Sequence, residues 1–359
     1  MSSSASAPVD LRGDFGSPRG AAEPIVPGSA GALHSHLDIS VVVPTYRRPA
    51  LLAACLDALC QQDFPADRYE IVVCDDGPDE AARTCAEHLA EAQAARGLTV
   101  RYVPVTRTQG PAGARNVGWR LARSPLIAFT DDDTLPDPHW LRAGVAALAQ
   151  DAAAAAGTIL VPLPPLPTDY EADASGLERA EFATANAFVA RSFLSMTGGF
   201  DERFTSAWRE DSDLQFTLMR ARAKIVRASD AVVVHPVRPA RWGVSIAQQR
   251  KSQFDALLYR KHPELFRKRI RARPPLLYYA ILCAALAALM GGAAGNASLA
   301  SGGAVAWFVL TAYFCVMRLR GRDRSWRHIA EMAWTSIPVP FLSIFWRLYG
   351  AVRFKVFFL

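Results

Sequence analysis

The chain has 359 residues, of which 51% are hydrophobic, and a formal net charge of +6. That length supports one large domain or two ordinary ones with a sizeable core. The positive charge does not argue for nucleic acid, because lysines and arginines gather at 260–273 and 318–327, where they flank apolar runs in the manner of membrane topology.

Residues 1–37 are rich in Ser, Ala, Gly and Pro, without apolar periodicity or the apolar core of a signal peptide, and are read as a disordered leader. From residue 38, short apolar runs at 39–43, 71–74, 100–103 and 126–129 alternate with helical patterns, of which 49–60 and 115–123 are the clearest. Strand, helix, strand at this spacing predicts an α/β domain with a doubly wound, mostly parallel sheet. After about residue 157 the pattern loosens into a proline-rich stretch at 161–167 and apolar runs at 182–190 and 231–234, a more mixed second half of the same domain, which is taken to extend over 38–270.

The remainder, 271–359, reads as a membrane region. Two apolar spans, about 276–295 and 303–318, are joined by an uncharged Gly/Asn/Ser turn, and arginines and lysines crowd their outer ends. The positive-inside rule then places both ends, and the α/β domain with them, on the cytoplasmic side of the inner membrane in a multi-pass protein. Buried helices of a soluble protein are the alternative reading. The last segment, 332–359, mixes aromatic residues with Pro338, Pro340, Arg347, Arg353 and Lys355 and looks interfacial. Cysteines 55, 60, 74, 85, 283 and 315 show no paired metal-ligand spacing and read as reduced thiols.

In an open α/β sheet, ligands sit beyond the carboxyl ends of the strands. There the sequence offers Pro44-Thr45-Tyr46-Arg47-Arg48, then Asp75-Asp76-Gly77, then Asp131-Asp132-Asp133. Singly, each is a turn or a helix cap as readily as a site. No Gly-rich phosphate loop follows the first strand, so a metal is expected in its place, and the aspartate triplet suits Mg²⁺ or Mn²⁺ on a substrate diphosphate.

Over about residues 39–235 the sequence resembles the inverting family 2 glycosyltransferases of the GT-A fold. The resemblance rests on Val41 to Tyr46, Val72 to Gly77, Gly110 to Gly118, Phe129 to Asp133, and Gly198 to Glu202 followed by Trp208 to Leu214. It implies a nucleoside-diphosphate sugar donor, UDP-type favoured, with Pro44, Thr45, Tyr46 and Arg47 lining the nucleotide pocket. Asp76 would bind the base and Arg115 would approach the same nucleotide. In the DxD-like triplet it implies Asp131 toward the ribose and Asp133 on the metal; a register slip would bring in Asp132 instead. His235 resembles the late-strand metal ligand, or is structural. Asp211 is the candidate base, with Glu210 as its neighbour in the motif and the helix start as the plain alternative for both.

The processive synthases of the family carry a Gln-x-x-Arg-Trp element, where this chain has only Gln248-Gln249-Arg250-Lys251-Ser252. A single-sugar transfer to a lipid-linked or saccharide acceptor near the membrane is therefore expected. A nucleotidyltransferase would start with a Gly-rich loop after the first strand, and 43–48 contains no glycine. A non-catalytic membrane component would not need Asp131, Asp133 and Asp211 together.

Overall fold

The computed structural model describes residues 37–107, 110–149 and 151–358, so the leader expected at 1–37 lies outside the described residues except for Leu37. The α/β part runs β1 (Ile39–Thr45), α1 (Pro49–Cys60), β2 (Tyr69–Asp75), α2 (Glu80–Gln93), β3 (Thr99–Pro104), α3 (Pro111–Leu121), β4 (Leu126–Thr130), β5 (Leu135–Pro136), α4 (Trp140–Leu148), β6 (Ala154–Leu160), α5 (Asp169–Ala174), β7 (Asn186–Ala190), α6 (Arg191–Thr197), α7 (Glu210–Arg220) and β8 (Ile225–Val234). There follow α8 (Val244–Gln248), α9 (Gln253–Lys261), α10 (Pro263–Leu265), α11 (Leu276–Ala293), α12 (Ala297–Leu319), α13 (Trp326–Ser336) and α14 (Pro338–Arg353).

All eight strands form one sheet in the order β3-β2-β1-β4-β7-β6-β8-β5. The four apolar runs read from the sequence are β1 to β4, and these pair in parallel. Beyond β4 the sheet is mixed: β7 is antiparallel to both β4 and β6, whereas β6 and β8 are parallel. An apolar run carries no direction of its own, so the runs at 182–190 and 231–234 located β7 and the end of β8 without fixing their sense, and the alanine-rich β6 was not anticipated.

β1 and β2 are buried along their whole lengths, as strands covered on both faces must be. Ile39, Val41 and Val43 pack with α1, α2 and α4, whereas Val42, Val72 and Cys74 pack with α3, α6 and α7. Gly118 makes the second contact possible, since a Cβ there would lie 2.3 Å from Val42 Cγ1. Glu70 faces the interior of β2 but is fully answered: Ser40 Oγ donates at 2.7 Å, and the Arg123 amide and Nε donate at 2.7 and 2.9 Å.

β1 lies between β2 and β4, so the chain leaves β1 toward one edge of the sheet and later returns to its other side. That reversal opens a crevice at the carboxyl ends of these strands, and the sheet delivers Thr45, Asp75 and Thr130 to its rim.

α11 and α12 are long and apolar enough to cross a membrane, and the bent pair of α13 and α14, 46° apart, passes the same test only as a unit. The uncharged connection is shorter than the sequence suggested, because the 297–303 stretch is already helical. Its small residues work as contacts: a Cβ on Gly303 would meet Ala288 N at 2.4 Å, and one on Gly291 would meet Ala300 N at 2.4 Å. The segment read as interfacial lends one side to the globular part. Phe354 and Phe358 share a core with Phe204, Phe216, Phe254 and Phe266.

Candidate functional site

A cleft of about 1090 Å³ opens at the carboxyl ends of β2, β1 and β4, and it extends past the N-terminus of α7 to α5 and α8. Its first wall is the end of β1. Pro44, Thr45, Tyr46 and Arg48 line the cleft, but Arg47 does not. Arg47 has φ 53° and lays its guanidinium over the Tyr46 ring, 5.2 Å from its centre. The inward cation is Arg48, whose Nη1 donates to Asp132 Oδ1 at 2.9 Å.

The two aspartates that end β2 divide the turn and site roles between them. Asp75 is buried and builds the turn, its Oδ1 accepting from the Gly77 amide at 3.0 Å and its Oδ2 from the Asp79 amide and the Tyr102 hydroxyl. Asp76 faces the cleft. Its Oδ2 accepts from the Gly110 amide at 2.7 Å, while Oδ1 is buried with no partner among the described residues. Burial pushes the Asp76 carboxyl above its usual range. Gly110 itself sits at φ 94° against Thr205 O, which would lie 2.7 Å from an added Cβ.

The triplet after β4 splits by alternation. Asp132 turns inward onto β1, accepting from Thr45 Oγ1 at 2.8 Å as well as from Arg48, and burial lifts it to about 6. Asp131 and Asp133 instead converge with His235, at the end of β8, and one ligand atom from each lies within 4.8 Å of the others. His235 Nε2 is 3.4 Å from Asp133 Oδ1, and Arg238 Nε is 3.0 Å from Asp133 Oδ2. Burial works to raise the Asp131 carboxyl, but Arg115, donating at 2.6 Å, outweighs it and holds the group below the usual carboxylate range. Two carboxylates and an imidazole on rigid strand ends are a donor set that Mn²⁺ accepts, and the oxygens suit Mg²⁺ also, so the residues fit the cation expected from the sequence.

Across the cleft stands the start of α7. Arg115 spans the gap: one Nη donates to Asp131, the other to Glu210 Oε1 at 3.1 Å, and the side chain is almost wholly buried between them. Glu210 is buried, its Oε2 has no partner among the described residues, and burial with the adjacent Asp211 charge raises it to about 7. Asp211 lines the cleft. Its Oδ1 accepts from the Ser212 amide at 2.6 Å, which leaves Oδ2 uncommitted to that turn. Burial lifts the Asp211 carboxyl as well. Pro44, Thr45, Tyr46, Asp76, Arg115, Asp131, Asp132, Asp133, Glu210, Asp211 and His235 thus lie around one cleft, and of the residues given a role from the sequence Arg47 falls outside it.

Several cations of the cleft had no role assigned from the sequence, among them Arg48, Arg238 and Lys251. Arg48 was hidden behind Arg47 in the same motif. Arg238 lies three residues beyond His235, at the end of a strand, and the strand-end rule applied to β8 finds it. Lys251 comes from the stretch before α9, with its ammonium over the Trp208 ring at 5.8 Å, and no local pattern marks it.

Residues 40–199 match the family model described as glycosyl transferase family 2. The chain carries a family 2 glycosyltransferase domain. The chain is 26% identical over 281 residues to a hyaluronan synthase of Pasteurella multocida, an alignment covering 66% of this chain and 28% of that protein. It is 24% identical over 213 residues to glycosyltransferase AglE of Haloferax volcanii, covering 56% of this chain and 67% of the other. The chain therefore spans less than a third of the length of the hyaluronan synthase that it matches. Among solved structures, the mannosyltransferase PcManGT of Pyrobaculum calidifontis, in complex with GDP-Man and Mn²⁺, superposes with a TM-score of 0.56 at 20% identity, covering 87% of both chains. The sheet order and this superposition make the fold of the family 2 domain GT-A.

Proposed function

We propose that the chain is a metal-dependent, inverting glycosyltransferase that moves one sugar from a nucleoside-diphosphate donor to a hydroxyl of a membrane-proximal acceptor. The observation that carries this reading is the convergence, across Arg115, of Asp131, Asp133 and His235 on one wall and Asp211 on the other. In support of a nucleotide donor, the buried Oδ1 of Asp76, without a partner among the described residues, suits a ring N–H of a base, with Tyr46 exposed nearby. GDP-Man in PcManGT is consistent with a donor of this class, and a UDP-type donor, favoured on the family resemblance, is the one proposed here for this chain.

Asp131, Asp133 and His235 would hold Mn²⁺ or Mg²⁺, which when bound supplies charge neutralisation for the donor diphosphate. Arg48 and Arg238, both on the Asp133 carboxylate, add fixed positive charge beside it. Asp211 takes the proton of the acceptor hydroxyl on Oδ2. The hydroxyl oxygen attacks the anomeric carbon from the face opposite the diphosphate, the bond to the diphosphate breaks, and nucleoside diphosphate leaves. Arg115 keeps the two walls at a fixed separation, so base and donor meet in one geometry.

An acceptor close to the bilayer is supported by how the cleft ends. Its α5 wall, with Tyr170 and Asp173, is tied to the end of α12, where Arg318 Nη2 donates to Asp169 Oδ2 at 2.7 Å and the Asp323 amide donates to Pro167 O at 2.9 Å. The absence of the Gln-x-x-Arg-Trp element in the 248–252 stretch favours a single addition over processive synthesis. Purified protein with Mn²⁺, given UDP-, GDP- and dTDP-sugars together with polyprenyl-phosphate or saccharide acceptors, is expected to release a nucleoside diphosphate from one of them. Release from none would overturn the reading. The same proposal sets both outer ends of the α11–α12 pair on the cytoplasmic side of the inner membrane; a reporter fused after Arg318 that is found outside would refute it.

A further inference from the structure

Arg209, immediately before the two carboxylates of α7, is a non-glycine residue at φ 76°. Such a residue persists only where its surroundings hold it. The holding group is Asp255 on α9, almost fully buried, whose Oδ1 accepts from Arg209 Nε at 2.8 Å and from Trp208 Nε1 at 3.4 Å. The other oxygen of the same carboxylate, Oδ2, accepts from Arg347 Nη2 at 2.8 Å. Arg347 is buried too, and it belongs to α14, far from the site in sequence.

α14 is seated firmly enough for this link to transmit position. Gly350 packs on the α9 backbone so closely that a Cβ would lie 2.3 Å from Gln253 O. Arg353 Nη1 donates to Gln253 Oε1 at 2.8 Å, and Arg260 Nη1 donates to Phe354 O at 2.7 Å. The outward side of the helix carries Phe345, Leu348, Tyr349 and Val352, all exposed.

We propose that Arg347 is a positioning residue for the transfer: through Asp255 it fixes the left-handed Arg209 turn that presents Asp211 to the acceptor. A carboxylate held from both sides cannot rotate. With Arg347 removed, Asp255 is left buried with Arg209 and Trp208 as its remaining partners among the described residues, and it is free to move toward them and carry the start of α7 with it. The inference rests on Asp211 being the base; the donor wall stands on the ends of β1, β2 and β4 and meets the start of α7 through the Arg115–Glu210 contact.

The test compares Arg347→Met, Arg347→Lys, Asp255→Asn and Asp211→Asn in the full-length, membrane-extracted protein, measuring kcat, the donor KM and the binding of the nucleoside diphosphate with Mn²⁺. Arg347→Met and Asp255→Asn are each expected to lower kcat by at least about tenfold, since ångström-scale misplacement of a reacting group costs up to about 10²-fold. The donor KM and nucleotide binding should stay within about threefold of the parent, because lost transition-state interactions fall on kcat. Arg347→Lys, which keeps the charge and loses the fork, should recover most of the kcat lost in Arg347→Met. Parent-like kcat in Arg347→Met or in Asp255→Asn overturns the proposal, as does a joint fall of kcat and nucleotide binding that Arg347→Lys does not reverse. Should Arg347→Met fail to fold, Asp255→Asn and Arg347→Lys decide by the same criteria. Parent-like turnover in Asp211→Asn would instead strike the base assignment, whatever the Arg347 variants do.

Discussion

Asp211→Asn is expected to lower turnover by about 10²- to 10⁴-fold, the usual contribution of a general base, with donor affinity nearly unchanged. The substitution keeps size and the hydrogen bonds from Ser212, so the turn at the start of α7 survives, and only the proton acceptor is lost. Glu210→Gln should behave differently. Glu210 is buried behind Asp211 and committed to Arg115, so its loss loosens the strut between the two walls without removing the base. The pH dependence follows from burial. The base must be ionised to accept a proton, and burial lifts the Asp211 carboxyl, so kcat should rise with pH along an acid limb lying above the ordinary carboxylate range. In Asp211→Asn that limb should disappear. Near-normal turnover in Asp211→Asn beside a dead Glu210→Gln would move the base to Glu210.

Chelation is expected to abolish transfer, and added Mn²⁺ or Mg²⁺ to restore it. Asp131, Asp133 and His235 bring two oxygens and a nitrogen together, and no Gly-rich loop follows the first strand to cradle the diphosphate with backbone amides. Asp133→Asn should therefore weaken donor binding and lower turnover together, turnover by at least about 10²-fold, the scale on which losing one fixed stabiliser of developing charge is felt. The contrast with Asp211→Asn is the informative part, since one variant shifts KM and kcat and the other kcat alone. Full activity in excess chelator would remove the metal from the mechanism and leave the three residues a structural cluster.

The first half of the sheet and the strand-end wall of the cleft were legible because each depends on local pattern. A parallel strand buried on both faces must read as an unbroken apolar run, and a chain leaving such a strand must place its next polar residues at the crevice. Sequence could not say which aspartate of a pair does what. Asp75 and Asp76 are chemically alike, and only the turn geometry gives three donors to one and a free oxygen to the other. The same holds for Asp131, Asp132 and Asp133, where alternation along the backbone after β4 decides which side chain turns back toward Thr45. Illegible altogether was everything set by distant packing: Arg115 as a strut between Asp131 and Glu210, Asp255 shared by Arg209 and Arg347, and Lys251 brought under Trp208.

Phe354 and Phe358 close the aromatic cluster that also holds Phe204 and Phe216, the latter on the helix that begins with Glu210. Synthesis proceeds from the N-terminus, so α11 and α12 are polymerised before these two phenylalanines. The α7 side of the cleft is thus left without part of its core while the two apolar helices are being made. The order of manufacture itself delays maturation, so that the interior behind Asp211 is completed only after the segments able to enter a bilayer have been synthesised.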